Sequence, residues 1–157
     1  MSSTDDATLH AQQLIRFIRD EIPLARAMDL QLAGCDDGHL ALHAPLPPNV
    51  NDKGCAFGGS LVSLMTLSGW ALVELALRRR ELDCDVFVAE STVRYLTPLW
   101  RDFRSEARLA AEADWATFFS TIEARGKARI GVDCVVPDEV GAPACTLGAR
   151  FVAKRRG

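Results

Sequence analysis

Apolar positions change their period several times along this chain. Leu9, Leu14, Ile15, Phe17, Ile18 and Ile22 fall broadly at helical spacing and Pro23 follows them, so residues 7–22 are expected to form an amphipathic helix that ends there. Two alternating runs come next. Residues 28–33 and 39–44 flank Cys35-Asp36-Asp37-Gly38, with Leu40 and Leu42 opposed to His39, Ala41 and His43, which predicts a hairpin. Pro45, Pro47 and Pro48 stop the second strand and lead into a polar loop holding the only two asparagines, Asn49 and Asn51.

A long apolar run then predicts a helix over residues 59–79, about 30 Å at 1.5 Å per residue. Four strands are expected after it, at 85–95, 103–111, 128–136 and 144–153, with a short helix at 115–124. In the last two strands Ile130, Val132, Cys134 and Val136 share one face, as do Cys145, Leu147, Ala149 and Phe151, while Arg129, Asp133 and Arg150 take the other. One face therefore packs on a helix and one meets water. The expected object is an α+β domain over 1–157, an antiparallel sheet of five or six strands wrapped around one long central helix.

Composition narrows the function. The net charge is -3 and the one basic cluster, Arg78 to Arg80, is followed by Glu81 and Asp83, so nucleic acid is not an expected partner. Five cysteines without a C-x-x-C pair suggest neither a disulfide scaffold nor a metal site, and no metal is expected. The acidic, polar start M-S-S-T-D-D lacks the order of a secretion signal, and reduced thiols fit a cytoplasmic location. Residues 60–77 have the length and apolarity of a membrane span, but Glu74 and the hydroxyls at 60, 63, 66 and 68 favour a helix buried inside its own protein.

Candidate chemistry gathers where the asparagine loop meets the long helix, at Asn49-Val-Asn51-Asp-Lys-Gly-Cys55-Ala-Phe57-Gly58-Gly59-Ser60. A helix start presents unpaired N–H groups and partial positive charge, and glycine lets a ligand approach the backbone. This junction suits a developing oxyanion.

The run from Ala44 to Ser60, then Met65-Thr-Leu-Ser-Gly-Trp70, Ser91-Thr-Val-Arg-Tyr95-Leu-Thr-Pro98, Gly126-Lys-Ala-Arg-Ile130 and Gly148-Ala-Arg-Phe-Val152, resembles the thioesterase family of YiiD C-terminal domains over about residues 20–154. The resemblance implies a hot-dog fold, assembly as a homodimer or tetramer, and work on acyl thioesters of coenzyme A or acyl carrier protein, with phosphopantetheine belonging to the substrate and no separate cofactor. Some members of this family are malonyl-acyl carrier protein decarboxylases acting at the start of fatty acid synthesis.

Site roles follow from the residues and the resemblance together. Asn51 lies seven residues before Gly58, where hot-dog thioesterases also place a functional asparagine, and its amide donates without changing charge. Gly59 is the expected oxyanion donor beside Gly58 and Ser60, with Asn49, Phe57, Thr66 and Tyr95 lining the substrate. Phe57 stands where many hot-dog enzymes have histidine, and Thr66 where many have a carboxylate. Threonine cannot serve as that base. Glu74 is expected to pair with Arg78, Cys55 has no histidine beside it, His39 and His43 read as surface positions, and Glu90 is a candidate from across an interface.

Hydrolysis needs an activated water as well as an oxyanion hole. Decarboxylation of a malonyl thioester needs chiefly the hole. The expected activity is therefore malonyl-acyl carrier protein decarboxylation, with acyl-thioester hydrolysis and non-catalytic acyl binding as the alternatives.

Overall fold

The computed structural model describes residues 3–157; the remaining two positions of the expected domain lie outside the described residues. The first helix, α1 (Ser3–Glu21), buries Ala7, Ala11, Leu14, Ile15 and Ile18, a stripe at i, i+4, i+7, i+8 and i+11. Leu9 and Phe17, which the sequence pattern placed on that stripe, are 43% and 41% exposed. Their positions fall outside the arc that faces the core.

Pro23 does more than end α1. It opens a second helix, α2 (Pro23–Met28), because a proline at the first helical position gives up an N–H that would be unpaired there. Asp29 turns left-handed (φ 55°) and stops it, and Arg19 holds the joint by donating to Asp29 Oδ1 at 3.1 Å and to the Leu30 carbonyl at 2.8 Å. Strand β1 therefore runs over Gln31–Asp36 instead of beginning at Met28. Six helical residues are too few to show a period. Only Asp37 and Gly38 remain in the turn to β2 (His39–Ala44).

After a short 3-10 turn at Pro47–Asn49 come α3 (Gly58–Arg79), β3 (Cys84–Tyr95), β4 (Phe103–Leu109), α4 (Trp115–Arg125), β5 (Lys127–Pro137) and β6 (Pro143–Arg155). Strand β4 stops two residues before its expected end, where Ala110 to Ala113 close a turn into α4. Asp114 caps α4 by accepting from Thr117 N at 2.8 Å and Thr117 Oγ1 at 2.7 Å, bonds that hold its carboxyl below the ordinary range. Gly126, left-handed at φ 72°, ends that helix.

All six strands form one antiparallel sheet in the order β1-β2-β4-β5-β6-β3, curled around α3 as expected. Helix α3 has the length and hydropathy of a membrane span, yet about 61% of its most apolar window is buried inside the chain. That leaves β3 at a sheet edge. A bulge between Val88 and Glu90 shifts its register, so Val86 and Val88 face α3 before it and Ser91, Val93 and Tyr95 after it, while Glu90, Thr92 and Arg94 point outward.

Helix α3 packs tightly on the sheet at Ser68 and Gly69. A Cβ on Gly69 would lie 2.9 Å from the Phe151 ring and 3.4 Å from Cys134 Sγ, so only glycine leaves room for the ring. Beside it, Ser68 Oγ and Ser105 Oγ share a hydrogen bond of 2.6 Å with both residues fully buried.

Removing Ser68 strands the Ser105 hydroxyl in the core, whereas removing Ser105 takes one partner from Ser68, which keeps its bond to the Met65 carbonyl at 2.9 Å. Ser68→Ala or Ser105→Ala should each cost about 1–3 kcal/mol in urea unfolding, whereas the double variant should cost clearly less than their sum. Simple additivity would show that the two hydroxyls do not depend on each other.

Candidate functional site

The start of α3 has no side-chain cap. Phe57 occupies the N-cap position in extended conformation (φ −68°, ψ 132°), and among the described residues no acceptor meets the N–H groups of Gly58, Gly59 or Ser60. The backbone around them is fixed from both sides. Phe57 N donates to the Asn49 carbonyl at 2.8 Å, Leu61 N to the Phe57 carbonyl at 3.0 Å, and Ala56 N to the Leu99 carbonyl at 2.8 Å. Three unpaired donors thus lie at the positive end of a 22-residue helix.

A cavity of about 400 Å³ opens beside this helix start, lined by Leu24, Ala27 and Met28 of α2, Pro48, Asn49 and Phe57 of the loop, and Gly59, Ser60 and Ser63 of α3. No aspartate, glutamate, histidine, cysteine, lysine or arginine is in that lining. Its polar groups are backbone donors, two hydroxyls and one carboxamide. The α2 residues and Ser63 were not singled out from sequence, although Ser63 lies one turn beyond Gly59 and the helical period alone points to it.

Asn49 is the anchor of the loop. It is 2% exposed and its Nδ2 donates to the carbonyls of Met28 at 3.0 Å and Pro45 at 2.7 Å, tying α2 to the helix start; its Oδ1 is buried without a donor. Asn51 stands differently. Its Oδ1 accepts from Lys53 N at 2.9 Å and Cys55 N at 3.2 Å, and its Nδ2 donates to Cys55 Sγ at 3.1 Å. Both ends of the amide are engaged within the loop, outside the cavity lining, so Asn51 as placed holds the turn that presents Phe57 and the glycines.

Phe57 and Tyr95 frame the two glycines. The Phe57 ring lies across Gly59, where a Cβ would come within 2.3 Å of it, and the Tyr95 ring lies 3.2 Å from where a Gly58 Cβ would stand. Tyr95 Oη donates to the Gly58 carbonyl at 3.5 Å, a long contact. Both rings are more than half exposed, at 53% and 57%.

Thr66 is half-buried two turns into α3 and outside the cavity lining. Glu74 is 6% exposed and accepts from Arg78 Nε at 3.0 Å, the pairing its spacing suggested. Glu90 points away from α3 toward Arg150, 3.6 Å distant, so it does not reach the helix face of the sheet. His39 departs from its surface reading: it is 8% exposed, with its ring nitrogens 3.8 Å from Asp36 and 3.4 Å from Glu106. The thiols offer no nucleophile in the cavity. Burial pushes Cys134 up to about 12 and Cys145 to about 11, and both lie in the core.

A second cavity, of about 440 Å³, opens at the other end of α3 between Asp36, Asp37, Arg79, Arg80 and Trp115. There the helix presents carbonyls, the wrong polarity for a thioester oxygen.

Comparison with known proteins agrees with the geometry. The profile of the family described as "Putative thioesterase (yiiD_Cterm)" matches residues 11–155. The chain is similar to a protein of unknown function from Chlorobaculum tepidum (28% identity, TM-score 0.87, 93% of this chain and 94% of that one). It is also similar to a protein from Shewanella oneidensis described as a putative thioesterase (25% identity, TM-score 0.83, 94% and 99%). The PaaI protein of E. coli, at 12% identity and TM-score 0.66 over 94% of each chain, shares the fold. This chain belongs to the YiiD C-terminal thioesterase family of the hot-dog superfamily, whose substrates are acyl thioesters.

Proposed function

We propose that the start of α3 holds the carbonyl oxygen of an acyl group carried on the phosphopantetheine of acyl carrier protein or coenzyme A, and that the reaction is loss of carbon dioxide from a malonyl thioester. One observation carries this reading: Gly59 and Ser60, whose N–H groups are unpaired among the described residues, line a cavity that contains no carboxylate, imidazole, thiol or amine side chain. As the bond from the α-carbon to the carboxylate breaks, its electron pair moves onto the thioester oxygen as an enolate. The helix start stabilises that charge, and the α-carbon then takes a proton from water to give the acetyl thioester. The wall of Leu24, Ala27, Met28 and Phe57 leaves the departing carboxylate poorly solvated, which favours its loss.

Gly59 is the proposed donor, with Gly58 and Ser60 beside it. Asn51 acts through the loop it braces, and Tyr95 and Phe57 bound the entrance. Hydrolysis is the second reading, favoured by the family description. It needs a base from outside the cavity, such as Asp52, which is exposed and paired with Lys53 at 3.0 Å, or a group from a second copy of the chain.

A homodimer formed along β3 is part of the proposal. This strand is a 12-residue sheet edge, and Phe87, Val88 and Tyr95 on it are 59%, 45% and 57% exposed, an apolar edge of the kind that pairs with another strand.

Mass spectrometry of malonyl-, acetyl- and longer acyl-acyl carrier protein after incubation should show conversion of malonyl to acetyl with the carrier still acylated. Release of the free carrier from straight-chain substrates would establish hydrolysis instead. Gly59→Ala should reduce turnover at least about tenfold by forcing the Phe57 ring aside, while stability changes by no more than about 1 kcal/mol, since alanine suits a helix better than glycine. Unchanged turnover would remove Gly59 from the site. Light scattering at micromolar concentration should give twice the 17.1 kDa chain mass or a multiple of it, and a monomer would refute pairing along β3.

A further inference from the structure

One face of α3 carries a track of half-buried residues that leads away from the helix start. At about 100° per residue, Ser63, Thr66 and Trp70 fall within about 40° of Gly59 around the helix, at about 6, 10.5 and 16.5 Å along its axis. All four are half-buried, with the apolar Val62 and Leu67 beside them. Trp70 closes the far end, its Nε1 donating to the Val86 carbonyl of β3 at 2.9 Å.

The hydroxyls on this track have no hydrogen-bond partner among the described residues. Ser68, Ser120 and Thr121 elsewhere on helices all bond to carbonyls three or four residues back, and Ser68 also meets Ser105. Among the described residues Ser60, Ser63 and Thr66 make no such bond, although each is partly withdrawn from water and an alanine would pack there at no polar cost. Asn49 of the same cavity wall is 98% withdrawn from solvent, and its carboxamide oxygen has no donor among the described residues. The half-buried hydroxyls of Ser63 and Thr66 are thus free to pair with a ligand that displaces water from this face.

Resting on the acyl-thioester reading above, we propose that Ser63 and Thr66 recognise an oxygen on the β-carbon of the acyl group and that Trp70 limits its length, so that the site selects short β-oxygenated acyl thioesters. With the thioester oxygen at Gly59 and the acyl group lying along α3, the next polar rung is Ser63 and the one after it Thr66. A malonyl carboxylate or a 3-oxo group presents its oxygens to these hydroxyls. A plain alkyl chain leaves both unpaired and dry.

Binding of unreactive carba analogues, in which methylene replaces the thioester sulfur, tests this without turnover. Calorimetry with the 3-oxobutanoyl, butanoyl and decanoyl analogues of the pantetheine thioester should show the 3-oxobutanoyl compound bound about tenfold tighter than the butanoyl one. Thr66→Val, which keeps the shape, should reduce that gap to within about threefold by weakening 3-oxobutanoyl binding and strengthening butanoyl binding, and Ser63→Ala should act in the same direction. Trp70→Leu should admit the decanoyl analogue that the parent refuses. Equal affinity of the parent for the 3-oxobutanoyl and butanoyl compounds, or a gap untouched by Thr66→Val, would overturn the inference while leaving the acyl-thioester reading intact. Failure of every analogue to bind would take down that reading and this inference with it.

Discussion

The contact that the rest of the structure depends on is the seating of α3 against the sheet at Gly69, under the Phe151 ring. A side chain there would hold the helix off, and the sheet could not curl closely around it. Because the helix is seated by its middle, its two ends project from the embrace of the strands. The carbonyl end meets α4 and the β1–β2 turn, where Arg80 lies 4.0 Å above the Phe119 ring. The N–H end meets the asparagine loop, the Tyr95 ring and, across the cavity, α2. Tight packing at the centre and an uncapped start are therefore two consequences of one geometry, and the second supplies the chemistry.

An uncapped start would be costly if it were also unsupported. Here the support comes from backbone bonds that leave the first three donors free, with Asn49 tying α2 to the loop and Asn51 closing the turn behind it. The bulge in β3 extends the same logic to the neighbouring strand. Were residue 89 paired in regular alternation and not taken up by the bulge, Tyr95 would point away from α3 and Glu90 toward it. The bulge thus puts an aromatic ring beside the glycines and keeps a carboxylate off the helix face.

The fold was legible because its elements are long. Period 2 in β5 and β6 and a mostly apolar run that forms a 22-residue helix admit few arrangements, and their ends moved by only one or two positions. Short features were not legible: α2 spans less than two turns, and only its last residue, Met28, fell in an expected element, as the start of a strand. The bulge leaves no mark in composition, so the side of the sheet taken by Glu90 could not be read. At the site, the Gly58-Gly59 start was visible from local rules, whereas the use of Asn51 depends on where Cys55 and Lys53 return in space. His39 shows the same limit. Alternation put it opposite Leu40, but Asp36 and Glu106 on the flanking strands cover it.

The absence of a base from the cavity lining matters because of what surrounds the helix start. Attack by water at the thioester carbonyl passes charge to the oxyanion only after a proton has been taken up elsewhere, and an apolar wall gives that proton nowhere to go. Loss of carbon dioxide redistributes a charge that the substrate brings with it, from carboxylate to enolate, with no proton moved in the bond-breaking step. A low-polarity wall weakens solvation of the carboxylate at the start and strengthens the pull of the N–H groups on the oxygen at the end. The same lining that obstructs one reaction thereby assists the other, and it does so without any residue having to change its charge.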